Sequence, residues 1–384
     1  MALSKPQSGI QTPVQCQLCE KDPKISWKCL ECDLLMCSAC KNNIHPKFKS
    51  AGEHRIISIK DIGSKSSPGK YIGCSSPSSM DSANVDITLV KEYQTELEMI
   101  VHLAISLDDT LWISEGKHKK GIRLFSSHTA MQNAKCERNK PKVISSFNID
   151  VFGIAITLGN DLLIATKGPI LKQIKSETNK IVETVHNLHP YQPFSIHVTR
   201  YNKVIVGALK NAVFYTEDNG IVIAMDHEGK HEKVYGEDQT KGISFTEPIR
   251  ITGTNNEHIF VVDILNDQSE GRELVVLKQG DIINTYSGHP VINTEDRPFK
   301  PIDLTTTPAD NVIVANADNY DLYILNSSGI LITYIDTKIK GVVQDLLSIK
   351  IAMSGQFVML YLGTTNDEER KDKAKLYKLN LVGC

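Results

Sequence analysis

The chain has 384 residues, 41% hydrophobic and 23% charged, with 43 Lys and Arg against 45 Asp and Glu, a formal net charge of −2. That apolar fraction excludes general disorder, the near balance of charge argues against a broad nucleic-acid-binding surface, and no apolar run reaches the ~18 residues needed to cross a bilayer. The N-terminal MALSKPQSGIQTPVQ has no apolar stretch of the signal-peptide kind, so a cytoplasmic, reducing setting is expected.

Residues 1–13 read as a disordered N-terminus. Six of the nine cysteines then fall in three C-x2-C pairs: Cys16/Cys19, Cys29/Cys32 and Cys37/Cys40, followed by His45 and His54. In a reducing compartment this cluster reads as metal binding rather than as a disulfide frame. A C-x2-C turn aims two thiolates at one tetrahedral ion, and Cys with His is the donor set zinc favours. Eight ligands complete two four-coordinate sites. The interleaved pairing puts Cys16, Cys19, Cys37 and Cys40 on one ion and Cys29, Cys32, His45 and His54 on the other; a sequential pairing of the first four cysteines is the alternative. Both sites would be closed to water, which points to two structural Zn2+ and no catalytic residues.

The segment CQLCEKDPKISWKCLECDLLMCSACKNNIHPKFKSAGEHRIISI resembles a B-box zinc finger of the tripartite-motif family. The family pattern has two cysteine pairs, an apolar residue before a third pair, and two histidines, the last followed by aliphatic residues. Here Met36 precedes Cys37, and Ile56 and Ile59 follow His54. Cys19 stands where many members have histidine, as in the other B-box subtype, and the ZZ-type finger has similar spacing. The resemblance implies a cross-brace zinc finger over residues 14–62 that binds other proteins or itself. Full members add a RING finger and a coiled coil. The fifteen residues before Cys16 hold no Cys or His, and residues 63–84 are rich in Ser, Gly and Pro without heptads, so a flexible linker is expected and neither of those elements.

From residue 85 the chain repeats. An apolar strand, a turn of Asp, Asn or Gly and a second apolar strand recur at 103–114, 153–166, 195–208, 249–263, 302–318 and 346–362. Second hairpins follow at 170–185, 221–235, 273–286 and 322–335, with turns such as DHEGK, KQGD and NSSG that supply positive-φ positions. Two hairpins make a four-stranded blade, and six blades over 85–384 predict a six-bladed β-propeller. The last copy has only three strands. VDITLVKEYQ at 85–94 is available to complete it and close the ring. Beside a B-box, this layout is similar to the NHL-type propellers that end several tripartite-motif proteins.

The fold expectation is therefore mainly β, a small B-box joined to a six-bladed propeller. The functional expectation is a non-catalytic zinc-binding adaptor that holds protein partners through both parts. A RING-less component of a ubiquitin-ligase pathway and an RNA-binding propeller are the alternatives. Residues 1–82 carry a balance of +4 and residues 83–384 one of −6, which disfavours RNA on the ring. His186 and His189 read as loop residues, Asp108/Asp109 and Asp318/Asp321 as turn formers, and Trp27 and Trp112 as packing residues. No nucleophile elbow, P-loop or dinucleotide fingerprint occurs.

Overall fold

The computed structural model describes residues 18–19, 26–29, 35–47, 56–58, 85–116, 130–210, 219–237, 242–265, 271–317, 319–366 and 372–384. The chain divides into two units, Met1–Ser78 and Ser79–Cys384. The expected N-terminal tail at 1–13 and the linker at 63–84 lie outside the described residues.

In the first unit, β1 (Trp27–Cys29) is the centre of an antiparallel sheet, flanked by β2 (Leu35–Met36) and β3 (Ile56–Ser58). After β2 comes α1 (Ser38–Asn43), then a 3-10 turn at His45–Lys47. Six residues are too few for a helix to stand alone in water. Three devices hold α1. The Cys37 sulfur caps it by accepting from the Cys40 amide at 3.5 Å. Trp27 Nε1 donates to Ser38 Oγ at 3.1 Å, and Lys41 Nζ lies 3.4 Å from the Trp27 ring centroid. The buried core among the described residues is only Met36, Cys37 and Cys40, with Leu18, Cys19, Trp27 and Ile56 packed partly against it. So small an apolar core does not stabilise a domain unaided.

The second unit is built of six four-stranded antiparallel sheets. The first contains β5 (Met99–Ile105), β6 (Leu111–Gly116), β7 (Ala130–Glu137) and β8 (Lys140–Asn148). The second contains β9 (Gly153–Ile156), β10 (Leu162–Ala165), β11 (Ile170–Ile174) and β12 (Ile181–Asn187). The third is β13 (Gln192–Val198), β14 (Val204–Leu209), β15 (Gly220–Met225) and β16 (His231–Tyr235). The fourth is β17 (Pro248–Gly253), β18 (Ile259–Ile264), β19 (Arg272–Lys278) and β20 (Asp281–Tyr286). The fifth is β21 (Pro301–Thr306), β22 (Val312–Asn316), β23 (Asp321–Leu325) and β24 (Leu331–Asp336). The sixth joins β25 (Leu346–Ser354), β26 (Phe357–Thr364) and β27 (Lys375–Val382) to β4 (Asp86–Gln94). The first strands β5, β9, β13, β17, β21 and β25 pack in succession, and β25 returns to β5, so the blades form a closed six-bladed propeller.

The expected closure is present. Strand β4 pairs antiparallel with β27 from Asp86↔Val382 to Lys375↔Gln94, with Ile87 buried. It supplies the outer strand of the last blade and covers an edge that would otherwise be open to pairing. The burial pattern follows radius. Second strands such as β14 (VIVGAL) and β18 (IFVVDI) are buried at every position, being covered on both faces, whereas the outer strand β8 alternates between exposed and half-buried.

A single turn design joins the first two strands of five blades. Ser106, Thr157, Thr199, Thr254 and Thr307 each open it. The residue three places on takes positive φ: Asp109 (62°), Asn160 (65°), Asn202 (60°), Glu257 (60°) and Asp310 (68°). Asp and Asn tolerate this region better than most side chains. The threonine hydroxyls add a bond by accepting from the amides of Asp161, Lys203, His258 and Asn311. Asp108 and Asp109 thus have the expected turn role. Asp321 does not: it begins β23, is fully buried, and accepts from Arg297 Nη2 at 3.1 and 2.9 Å. Asp318 lies outside the described residues. Trp112 is 2% exposed and donates to Ser106 Oγ, and His186 lies in β12 rather than in a loop.

Candidate functional site

Two places in the molecule concentrate chemistry. The first is in the small unit. Cys19 follows Leu18 in a turn, Cys37 caps α1, and Cys40 lies one turn into that helix. This brings the three sulfurs within 4.8 Å of one another, with Cys37 and Cys40 buried and Cys19 half-buried. Three thiols converging on one point are a soft donor set of the kind zinc takes. They belong to the first and third C-x2-C pairs of the sequence. Cys29 ends β1, and His45 is buried at the start of the 3-10 turn. Cys16, Cys32 and His54 lie outside the described residues.

The second place is the axis of the ring. In five blades the residue four before the Ser or Thr that opens the turn occupies an equivalent place on the first strand: His102, Gly153, Ser195, Arg250 and Asp303. Ser348 is its counterpart in the sixth blade, for it follows the same bulge. A register shift precedes His102, Ser195, Arg250, Asp303 and Ser348 alike, so a β-bulge re-aims the same position in five blades, and only the Gly153 ladder is regular. Ser195 and Ser348 use it to tie blades together. Their hydroxyls donate to the carbonyls of Pro248 and Ile100 in the next blade, each at 2.8 Å. The facing residues, Gly207 and Gly363, have no room for a side chain: a Cβ would come within 2.6 Å of Pro248 O and within 2.8 Å of Ile100 Cβ.

Arg250 and Asp303 instead close the axis. Arg250 reaches from the fourth blade to the opposite, first blade, donating through Nη2 to Val101 O at 3.0 Å and through Nη1 to Ile249 O at 2.9 Å. Its Nε stands 3.3 Å from Asp303 Oδ1. The Asp303 carboxylate also accepts from the amides of Leu304 and Ile349, both at 2.9 Å. Both carboxylate oxygens are thus hydrogen-bonded, as a carboxylate only 3% exposed requires. His102 lines the same level. Burial pushes its pKa well below the ordinary 6.5, with Arg250 and then Lys350 adding to the effect, so the imidazole is neutral. Its Nε2 is buried without a hydrogen-bond partner.

Two residues further along the strands, nearer the turns, lies a vestibule of about 260 Å³. Around the axis it is bounded by Ala104, Ala155, His197, Thr252, Thr305 and Lys350. Lys350 Nζ is 3.8 Å from Asp303 Oδ1 and 3.4 Å from Leu304 O, and its side chain keeps 28% of its exposure. Surrounding protein lowers the pKa of Lys350, first by desolvation, with Asp303 opposing and Arg250 assisting. His197 is held to about 3 by burial and by the charge of Lys350. None of these axial residues stands out as a motif. The signal in the sequence was a charged residue, Arg250 or Asp303, in a strand otherwise apolar, at a fixed distance before the turn.

The turns themselves build one face of the ring. Leu107, Leu158 and Tyr201 project from three successive turns and are 77%, 56% and 54% exposed. The first two turns touch, since the Leu107 amide donates to Asn160 Oδ1 at 2.7 Å. Beside them, a cleft of about 230 Å³ between the third and fourth blades is lined by Tyr201, Lys203, Tyr235, Glu232 and Glu257. Lys203 pairs with Glu232 of its own blade at 2.9 Å and reaches Glu257 of the fourth blade at 3.8 Å.

No protein-family model matches this chain, and no curated protein is significantly similar to it. Solved structures do match the ring. A PQQ-bound aldose sugar dehydrogenase from Streptomyces coelicolor aligns with 78% of this chain and 99% of its own at TM-score 0.52 and 12% identity. A protein of unknown function from Dyadobacter fermentans covers 77% and 99%, at 0.51 and 10%. A glucose dehydrogenase-type oxidoreductase from Thermus thermophilus covers 78% and 100%, at 0.51 and 12%. At such identities the likeness defines the class, a six-bladed β-propeller, and nothing of the chemistry. Among the described residues, no helix is long and apolar enough to cross a membrane.

Proposed function

We propose that the chain is a zinc-binding protein-interaction adaptor, with a B-box-type finger of the tripartite-motif kind over residues 14–62, a linker at 63–84 and an NHL-like propeller at 85–384. The observation that carries this reading is the convergence of the Cys19, Cys37 and Cys40 sulfurs. Those residues share one ion in the interleaved arrangement, where Cys16 is the fourth ligand. Cys29, Cys32, His45 and His54 then hold the second ion. Both ions are structural, because four protein ligands leave no position for water or substrate. Binding of partners is assigned to the finger and to the turn face of the ring, where Leu107, Leu158 and Tyr201 offer apolar and aromatic contact area of the sort that anchors interfaces.

Metal analysis of the full chain tests the first half. Two zinc ions per polypeptide are expected, falling to one in Cys37→Ser with the other retained. One ion or none in the unaltered chain rejects it. The second half is tested by recovering partners on the immobilised ring. They are expected to be lost in the Leu107→Ala, Leu158→Ala, Tyr201→Ala triple variant. Partners that bind this variant as well as the original ring would remove the turn face from the proposal.

A further inference from the structure

The axial vestibule is divided by chemistry. In order around the ring its wall reads Ala104, Ala155, His197, Thr252, Thr305 and Lys350. In a six-membered ring the third blade faces the sixth and the first two face the fourth and fifth. Lys350 therefore looks across the axis at His197, and the two alanines look at the two threonines. One side is small and apolar and the other is hydroxyl-bearing, with a cation and a neutral imidazole at opposite poles. Gly253 leaves the imidazole its place, since a Cβ there would lie 3.2 Å from His197 Nε2.

Charge fixes what can enter. Arg250, Asp303 and Lys350 are the charged side chains lining the vestibule and the level below it. Two cations and one anion leave a single positive charge. Asp303 already takes two backbone amides and the Arg250 ion pair, whereas Lys350 has only the two long contacts. An enclosed cation with spare donors is stabilised by one anionic oxygen acceptor. A monoanion brings the site to neutrality. A dianion would leave an uncompensated negative charge in a poorly hydrated channel. Since Arg250 bars the axis, the vestibule is a dead end reached from the turn face, with solvent access shown by the partial exposure of Lys350. The depressed proton affinities of Lys350 and His197 mark two groups that an anion between them would relieve.

We propose that this vestibule is a binding site for a small monocarboxylate, its head gripped by Lys350 with the Thr305 hydroxyl, beside a Thr252 hydroxyl already bonded to Thr306, and its short apolar body against Ala104 and Ala155. The site is independent of the adaptor reading, whose failure would leave it standing. Calorimetric titration of the full chain with sodium butyrate tests it. Saturable one-to-one binding is expected with Kd on the order of 1 mM, in keeping with so few ligand atoms. Butyramide and inorganic sulfate should each bind at least about tenfold more weakly, the cost of losing one charge-assisted contact or of adding an unmatched charge. Lys350→Met should weaken butyrate by a similar factor while circular dichroism stays unchanged. Should that variant misfold, Ala155→Leu, which fills the apolar side, should exclude butyrate from a chain that retains Lys350. Absence of saturable binding at tens of millimolar, equal affinity for butyramide or sulfate, or undiminished binding by both variants would overturn the assignment.

Discussion

The small unit and the ring solve the same problem with opposite means. The ring buries whole strands, as in β14, β18 and β22, and its apolar packing and backbone ladders are supplemented by a few cross-blade bonds from Ser195, Ser348 and Arg250. Among its described residues the small unit buries Met36, two cysteines and His45, and strands of two or three residues with a six-residue helix are not maintained by so small an apolar core. What it has in place of packing is convergent sulfur. On the proposed zinc reading, ligation takes the place of burial as the source of order, and each leaves its own vulnerability.

The sharpest way to break the comparison is to withdraw metal. With zinc contributing on the order of 10–16 kcal/mol per site in finger peptides, a strong chelator is expected to unfold the first unit completely. The ring should keep its β-sheet circular dichroism and its melting transition. Loss of both signals together would show that the two regions are not distinct in this way. The next largest effect belongs to the ring's seam. Ile87 is 1% exposed at the β4–β27 junction, and Ile87→Ala is expected to cost about 2–4 kcal/mol in denaturant unfolding of the ring, with zinc content unchanged. A loss below ~1 kcal/mol would mean that β4 is not needed for closure.

Gly363→Ala sharpens the packing side of the contrast. The new methyl meets Ile100 and Ser348 in a layer that cannot yield easily, for a loss of about 1–3 kcal/mol. Ser348→Ala in the same background should recover part of it. The smallest effect is expected at the surface. Arg297 is half exposed and covers the buried carboxylate of Asp321. Arg297→Ala should cost about 1–2 kcal/mol near neutral pH, reduced by solvent at the arginine. The Asp321 carboxyl already has its pKa raised by burial, with Arg297 pulling against that rise. Removing Arg297 lifts it further above the unfolded value, so the variant's deficit grows as pH rises through the carboxylate range. Urea titrations at pH 4 and pH 8 should show the smaller loss at pH 4, and an equal loss at both would rule out this electrostatic account.

The first two strands of every blade were legible in the sequence because both of their faces are covered, so an unbroken apolar run such as IFVVD flanks a turn of Asp, Asn or Gly. Blade order and the closing role of residues 85–94 followed from counting strands. The outer hairpin of the first blade, AMQNAKCE and KPKVISSFN, was passed over: it lies at the rim with half of its side chains toward water, and its turn at Arg138 has no glycine. Asp321 was misread as a turn former because its partner Arg297 lies 24 residues away, a separation that local pattern does not carry. The thiol spacing foretold a sulfur cluster, since ligand geometry is local. The axial residues were invisible for the converse reason. Lys350, His197 and Arg250 meet only when six copies of the repeat are arranged around a common axis.

The pairing of Asp86 with Val382 places the two ends of the ring side by side. Traction applied to those ends would therefore peel β4 away from β27 pair by pair, as a zipper opens, instead of shearing the whole ladder at once. A fold held by deeply buried strands would thus yield to modest mechanical load at this one junction, releasing its outer strand while the other five blades hold.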